Sequence, residues 1–277
     1  MPISSNPSIK DLILNPSEIR LRFHAAQLIA REAGLLALKY FRDPDHLKWE
    51  SKGPQDWVSQ ADREVEKRIR EYLLDLFPQD GFLGEESGKY QMDAPGIWVV
   101  DPIDGTSCFR RGMPEWCVSI AYVLSDRRIP LGVIYQPCTD ELFSADPETG
   151  MRINGTQMEA AKIETFQDGV VGIGYSWKAD PEKTLGVLQA IIDKQGNFES
   201  MGSGALMVAY VACGRYIGFY ESFINSWDCL AAISMVRTAG GWTSDFLADN
   251  GLFEGNFLSA CAPGLEPFME EMLKKSN

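Results

Sequence analysis

The apolar run Ile97-Trp98-Val99-Val100 ends on Asp101-Pro102-Ile103-Asp104-Gly105-Thr106, and no other stretch constrains the chain as much. Four consecutive apolar residues read as a buried strand. The Asp-Pro pair after them reads as a turn that ends it. Asp101 and Asp104 are then expected at a strand end, with their carboxylates free to converge. Gly105-Thr106-Ser107 opens a short helix in this reading. The first amide N–H groups of a helix have no partner within it and carry the positive end of its dipole, so such a turn can hold a phosphate. Two carboxylates beside an anion-binding turn suit a hard divalent cation. An Asp-Pro turn with a helix cap accounts for the same residues without a ligand, and a bare Asp-x-x-Asp does not choose between the two.

The patterning on either side supplies a frame. A helix is expected from a cap at Ser17 to about Phe41, with Leu21, Ala25, Leu28, Leu35 and Ile29, Ala33, Leu36, Tyr40 at helical spacing and a packing role. Lys48 to Gln55, containing Lys52-Gly53-Pro54, reads as a polar loop, either plain surface or a segment able to close over an anion. Ser59-Gln60-Ala61-Asp62 has capping-box spacing, and Val65, Ile69, Leu73 and Leu76 mark one face of a second helix. On that stretch alone Asp62 is a residue that complements a helix N-terminus. The short apolar piece Phe82-Leu83 leads into Gly84-Glu85-Glu86-Ser87-Gly88, where two glutamates offer a second carboxylate source or a plain loop face.

Cys117 to Leu124, Pro130 to Gln136 and Glu141 to Ala145 read as strands, so the first half is helices packed on a largely antiparallel sheet. From about residue 166 the elements alternate. The expected order is a strand from Val170 to Tyr175, a helix from Pro181 to Asp193, a helix from Ala205 to Cys213 and a strand from Tyr216 to Tyr220. A helix from Trp227 to Ala239, strands near Trp242 and from Phe257 to Ala260, and a closing helix from Leu265 to Lys275 complete it. Asp228 falls in the first turn of a strongly apolar helix, where it either caps amide groups or reaches a metal. A buried unpaired carboxylate is costly, so that setting calls for a partner.

Composition narrows the chemistry. The 277 residues are 45% hydrophobic, enough for a substantial core, and carry a formal net charge of -13. That charge argues against sequence-independent nucleic-acid or anionic-membrane binding as the main task. Six scattered cysteines (Cys108, Cys117, Cys138, Cys213, Cys229, Cys261) with no Cys-x-x-Cys pair suggest buried, reduced thiols. Met1 to Pro16 has no apolar core of signal-peptide length and no run is long enough to span a bilayer, so the cytoplasm is the expected location. The two histidines, His24 and His46, lack flanking zinc ligands, which disfavours a His-rich metal site and a Ser-His-Asp triad. Carboxylates are left to carry the chemistry.

Gly84-Glu85-Glu86-Ser87, Asp101-Pro102-Ile103-Asp104-Gly105-Thr106 and Trp227-Asp228, in this order, resemble the inositol monophosphatase family of magnesium-dependent, lithium-sensitive phosphatases. The resemblance runs from about the Lys52 loop to the last helix. It implies an α+β fold, layered as an αβαβα sandwich of the sugar-phosphatase type and usually assembled as a homodimer. Residues 1–165 would form an N-terminal α+β half carrying most metal ligands, and 166–277 a C-terminal α/β half that closes the active site, the two making one structural unit.

Carried over by position, the resemblance implies that Glu85, Asp101 and the Ile103 carbonyl hold one Mg²⁺, and that Asp101, Asp104 and Asp228 hold a second. A third, weaker ion would lean on Glu85. Thr106, oriented by Asp62, would position the attacking water. Asp104 and the Gly105 and Thr106 amides would meet the phosphate, and Glu221 would contact substrate hydroxyls. Three departures bear on the substrate. Cys108-Phe109 stands where the family commonly has Asn-Phe, Arg110-Arg111 where an apolar residue and a His are usual, and Glu199-Ser200-Met201 lacks the arginine common before the Gly-Ser-Ala segment. The arginines lie near enough to the expected pocket mouth to meet a second anionic group, or form a solvated face.

The implied activity is hydrolysis of a small polyol phosphate such as inositol monophosphate. Histidinol-phosphate, fructose-1,6-bisphosphate and nucleotide 3′-phosphate phosphatases share the motifs. A regulatory partner of RNA polymerase or the ribosome is the alternative of another class. No membrane or nucleic-acid partner is expected.

Overall fold

The computed structural model describes residues 15–53, 56–163 and 165–275. The chain opens with helix α1 (Pro16–Arg42). Its cap is Asn15 rather than Ser17, because Asn15 Oδ1 accepts from Glu18 N at 3.1 Å while Glu18 Oε2 accepts from Asn15 N at 2.8 Å, closing a capping box ahead of Pro16. The expected leucine stripe is not the packing face. Leu21, Leu28 and Leu35 are 62%, 72% and 51% exposed, and the buried face is Phe23, Ala26, Ile29, Ala30, Ala33 and Ala37. Small residues win there because α1 lies close over the sheet, where a methyl on Gly34 would meet Tyr135 at 2.4 Å.

The expected polar loop is instead a pair of strands, β1 (Trp49–Gly53) antiparallel to β2 (Asp56–Ser59), and residues 54 and 55 of that expected loop lie outside the described residues. Helix α2 (Gln60–Leu76) follows directly, with Ser59 and Asp62 completing a capping box. Val65, Ile69 and Leu73 are fully buried as expected, whereas Leu76, at the fraying end, is 59% exposed. Strands β3 (Gly81–Gly84), β4 (Gly88–Tyr90) and β5 (Gly96–Asp104) lead to the short helix α3 (Thr106–Arg110). The meander β6 (Cys117–Leu124), β7 (Leu131–Gln136), β8 (Glu141–Asp146), β9 (Gly150–Ile153) and β10 (Thr156–Gln157) completes an eight-stranded sheet in the order β10-β9-β8-β7-β6-β5-β3-β4. All its pairs are antiparallel except β3 with β5.

The second sheet, of order β12-β11-β13-β15-β14, is mixed. It is built from β11 (Val170–Ile173), helix α4 (Pro181–Asp193), β12 (Asn197–Glu199), helix α5 (Gly204–Ala212), β13 (Gly218–Ile224), helix α6 (Leu230–Thr238), β14 (Trp242–Thr243), the single turn α7 (Gly251–Glu254), β15 (Asn256–Cys261) and helix α8 (Glu266–Lys275). Helix α6 starts at Leu230, so Asp228 lies in the turn before it and not in its first turn.

Three apolar layers join these elements into the expected αβαβα stack. The first lies between α1, α2 and one face of the large sheet. The second fills the space between its other face and α5, α6. The third lies among the small sheet, α4 and α8. Strand β6 shows why its sequence is apolar throughout: Cys117, Ala121 and Val123 face one layer, and Val118, Ile120, Tyr122 and Leu124 the other. Helix α6 approaches β7 so closely that a methyl on Gly132 would sit 2.1 Å from Ala231 O.

Under the first layer lies a polar knot. Asp80, 2% exposed, accepts from Arg22 Nε and Nη2 at 2.8 Å each, from Trp98 Nε1 at 3.0 Å and from the Tyr122 hydroxyl at 2.9 Å. The Arg22 guanidinium also lies 4.6 Å from the Phe77 ring centre.

Candidate active site

The carboxylates are brought together by an irregularity in β5 that the Asp-Pro pair conceals. The strand does not end at Pro102. Asp101 pairs with Ser119 and Asp104 with Cys117, so three steps along β5 match two along β6. This one-residue bulge takes up Pro102, which has no N–H to give the ladder. In a regular strand residues three apart point to opposite faces. The bulge turns Asp104 to the side of Asp101, the side facing α5 and α6. Gly105 then adopts φ 92, a left-handed conformation that glycine tolerates, where a methyl would lie 2.6 Å from Glu115 O. Helix α3 starts beyond it.

Asp101, Asp104 and Asp228 each offer a carboxylate oxygen within 4.8 Å of the others. Asp101 is 2% and Asp104 7% exposed. Asp101 Oδ1 accepts from Ile103 N at 2.9 Å. Asp104 Oδ2 accepts from Ala205 N at 2.8 Å and from the Ser203 hydroxyl, so the N-terminus of α5 faces it. Asp228 Oδ2 accepts from Asn225 Nδ2 at 3.0 Å and Asn225 N at 3.3 Å, pinning its own turn. Burial, joined by the charges of Glu85 and Asp228, pushes Asp101 well above the usual carboxylate range. Burial and Asp228 raise Glu85 in the same way. Burial first, then Asp228, pushes Asp104 up to about 7 against its hydrogen bonds from Ser203 and Ala205. Such mutual repulsion is what a bound cation relieves.

These groups open on a cleft of about 390 Å³ lined also by Gly105, Thr106 and Glu221. Glu221, 6% exposed, is raised by burial and by Asp228 and Asp104. Ile103 is fully buried and its carbonyl accepts from the Thr106 hydroxyl at 3.0 Å. Asp62, at the head of α2, does not line the cleft, though its charge is felt at Glu85. Its Oδ2 accepts from Ser59 N at 2.8 Å and Ser59 Oγ at 2.7 Å, while its buried Oδ1 has no hydrogen-bond partner among the described residues. Burial pushes Asp62 up to about 6. Capping therefore uses one oxygen and leaves the other without a hydrogen bond among the described residues.

Arg110 and Arg111 are exposed and do not line the cleft. The Arg110 guanidinium stacks 3.7 Å from the centre of the Trp57 ring, and Arg111 Nη1 donates to Ser107 O at 3.0 Å. Trp57, not the arginine, forms the wall. Lys52, read in the sequence as part of a loop able to close over an anion, has its Nζ 2.6 Å from Glu86 Oε1. Ser203, Asn225 and Lys178 in the cleft wall went unnoticed in the sequence. The helix-cap spacing of Ser203 ahead of α5 was the one available signal among them.

A family model described as the inositol monophosphatase family matches residues 20–273. The chain belongs to the inositol monophosphatase family. With it the chain joins the phosphoric monoester hydrolases. It is 36% identical over 217 residues to an inositol-1-monophosphatase of Rhizobium meliloti, covering 77% of this chain and 81% of that one. It is 33% identical to the Nus factor SuhB of Escherichia coli K12, covering 83% and 87%. The crystal structure of the extragenic suppressor protein SuhB from Bartonella henselae superposes with a TM-score of 0.85 at 34% identity, over 92% of this chain and 99% of that one. The layered architecture described above is thus an inositol monophosphatase fold.

For this family member, Asp228→Asn tests whether the carboxylate serves the turn or a cation. Asn225 can still bond to the amide oxygen, so the fold is expected to survive. A phosphatase rate lowered by roughly a hundredfold, measured by phosphate release, is expected if the charge is what matters. Wild-type activity in that variant counts against a ligand role.

Proposed function

We propose that this chain is a Mg²⁺-dependent phosphomonoesterase acting on a small polyol phosphate, inositol monophosphate in the first place. The observation that carries the reading is the convergence of three carboxylates beside the N-terminus of α3 in one cleft. The donor set is all hard oxygen and strained by like charge, and Asp62, whose charge is felt at Glu85, keeps a buried oxygen without a hydrogen bond among the described residues, which fits Mg²⁺. Glu85, Asp101 and the Ile103 carbonyl would hold one ion, Asp101, Asp104 and Asp228 a second, with a third, weaker one at Glu85. Bound there, Mg²⁺ supplies charge that lowers the pKa of an attacking water and stabilises the leaving oxygen.

The chain's own groups do the rest. The Gly105 and Thr106 amides at the start of α3 take phosphate oxygens. Thr106, oriented by Asp62, positions the attacking water, and the Asp62 carboxylate is the base toward which its proton passes. Glu221 receives hydroxyls of the alcohol. Full activity is expected with Mg²⁺, loss in excess chelator, recovery on adding Mg²⁺ back, and inhibition by Li⁺. A phosphate-release screen over inositol, histidinol, fructose-1,6-bis- and nucleotide 3′-phosphates ranks the substrates. Undiminished activity in chelator would falsify the metal reading.

The proposal extends to a homodimer, checked by sedimentation, and to a cytoplasmic location, for which the relevant finding is that no described helix is long and apolar enough to cross a membrane. A second reading follows from the 33% identity to a protein named a Nus factor. In it the chain also binds a transcription complex. Purification from cells with and without a site-inactive variant separates the two, since a binding role survives loss of the carboxylates.

A further inference from the structure

The turn that presents Glu85 is gripped from beneath by Glu66. Glu66 lies one helical turn beyond Asp62 on α2 and is 1% exposed. Each of its carboxylate oxygens is taken by a backbone amide: Glu86 N donates to Oε2 at 2.8 Å and Ser87 N to Oε1 at 2.7 Å. Glu85 N in turn donates to Val100 O at 3.2 Å, on the strand that carries Asp101. Three successive amides, 85–87, are therefore fixed, two by Glu66 and one by β5. There is no slack between strand end and carboxylate, since a methyl on Gly84 would lie 2.4 Å from Glu66 Oε2 and 2.7 Å from Oε1. A buried carboxylate is a costly way to hold a surface turn, because its charge gives up water for hydrogen bonds from that turn alone. Burial accordingly raises Glu66 above its usual range, and the hydrogen bonds from Glu86 and Ser87 only oppose that shift. The cost is intelligible if the direction of Glu85 must be held closely.

We propose, resting on the divalent-cation reading above, that Glu66 is a positioning residue of the metal site: by clamping the 85–87 turn it aims the Glu85 carboxylate at the Asp101–Asp104–Asp228 cluster. Residues four apart on a helix share a face, so α2 serves the site with two arms, Asp62 directly and Glu66 through Glu85. Groups that orient a ligand from behind typically alter metal affinity by about 10–100-fold when replaced.

Glu66→Gln keeps the shape of the side chain and one acceptor but turns an NH₂ toward a backbone N–H. Calorimetric titration of the metal-free protein with Mg²⁺ and with Mn²⁺ is expected to show binding weakened by roughly 10-fold or more. Hydrogen exchange at the Glu86 and Ser87 amides should accelerate. Turnover at saturating Mg²⁺ should stay within a few-fold of wild type, so that the half-activating Mg²⁺ concentration carries the effect. Gly84→Ala pushes the turn from the other side with Glu66 intact, is expected to act in the same direction, and decides the matter should Glu66→Gln fail to fold. Wild-type affinity in a folded variant overturns the proposal, as does a fall in saturated turnover with affinity unchanged. A wild-type protein that takes up neither ion overturns the metal reading instead.

Discussion

Asp101→Asn is expected to lower phosphatase turnover by several kcal/mol of barrier, on the order of a thousandfold, in a protein that folds. Burial, and then Glu85, Asp228 and Asp104, oppose the ionisation of Asp101, so a cation there would relieve a charge that the metal-free fold resists. Asn keeps an oxygen for the Ile103 amide and removes the charge. The same substitution should therefore raise the melting temperature of the metal-free protein, each kcal/mol of relief being worth ~2–4 °C in a chain of this size.

The pH dependence follows the same logic. Asp62 and Asp104 titrate near about 6 and about 7 in the metal-free fold, above the ordinary aspartate value, so the folded chain holds protons that the unfolded chain releases. Their contribution to stability is complete below ~4 and is lost as pH rises through ~6–7. Differential scanning calorimetry in chelator should find the wild type more stable at pH 5 than at pH 8, and Mg²⁺ should remove most of the difference. A metal-free protein that melts higher at pH 8 would show that the carboxylates are already compensated without a cation.

The largest expected loss of stability lies far from the chemistry. Asp80→Ala strands the Arg22 charge in the first apolar layer and leaves Trp98 and Tyr122 donors without their acceptor. Removing one partner of a buried pair costs about 3–5 kcal/mol. Against a typical total of about 5–15 kcal/mol this brings the chain near unfolding. Urea denaturation should show the midpoint fall by a large fraction, and Arg22→Met added to Asp80→Ala should recover part of it by removing the stranded charge. An unaffected midpoint would mean that water reaches the knot.

Much of this was legible in the sequence. Asp101, Asp104 and Asp228, 127 positions apart at the extremes, offer carboxylate oxygens to one point, and the patterning located most of the helices and strands. What escaped depends on contacts between distant segments. Pro102 looked like a stop because proline cannot feed a ladder; only the pairing with Ser119 and Cys117 shows that a bulge absorbs it. Leu21, Leu28 and Leu35 had the spacing of a packing face, yet the face against the sheet is the alanine-rich one, with Phe23 and Ile29 among its alanines, where the helix comes close at Gly34. Asp228 moved out of its expected helix because Asn225 ties the preceding turn. Ser203 and Glu66 act on residues far away in the chain, and no local pattern announces such a partner. The arginines at 110 and 111 were weighed for an anion, but an aromatic face claims Arg110.

The middle layer of helices has a consequence for how the chain is made. Helices α5 and α6 cover one face of the large sheet but are encoded well after its last strand, with about 80 residues between Gln157 and Thr238. At ~5–20 residues per second a ribosome leaves that face uncovered for roughly 4–16 s after the sheet's own sequence is complete. Throughout that interval Val99, Ala121, Ile134 and Phe143 confront water or whatever else is at hand. A nascent chain paused in this window presents a broad apolar plane, the sort of surface that holding chaperones recognise and that condenses with its neighbours when they are absent.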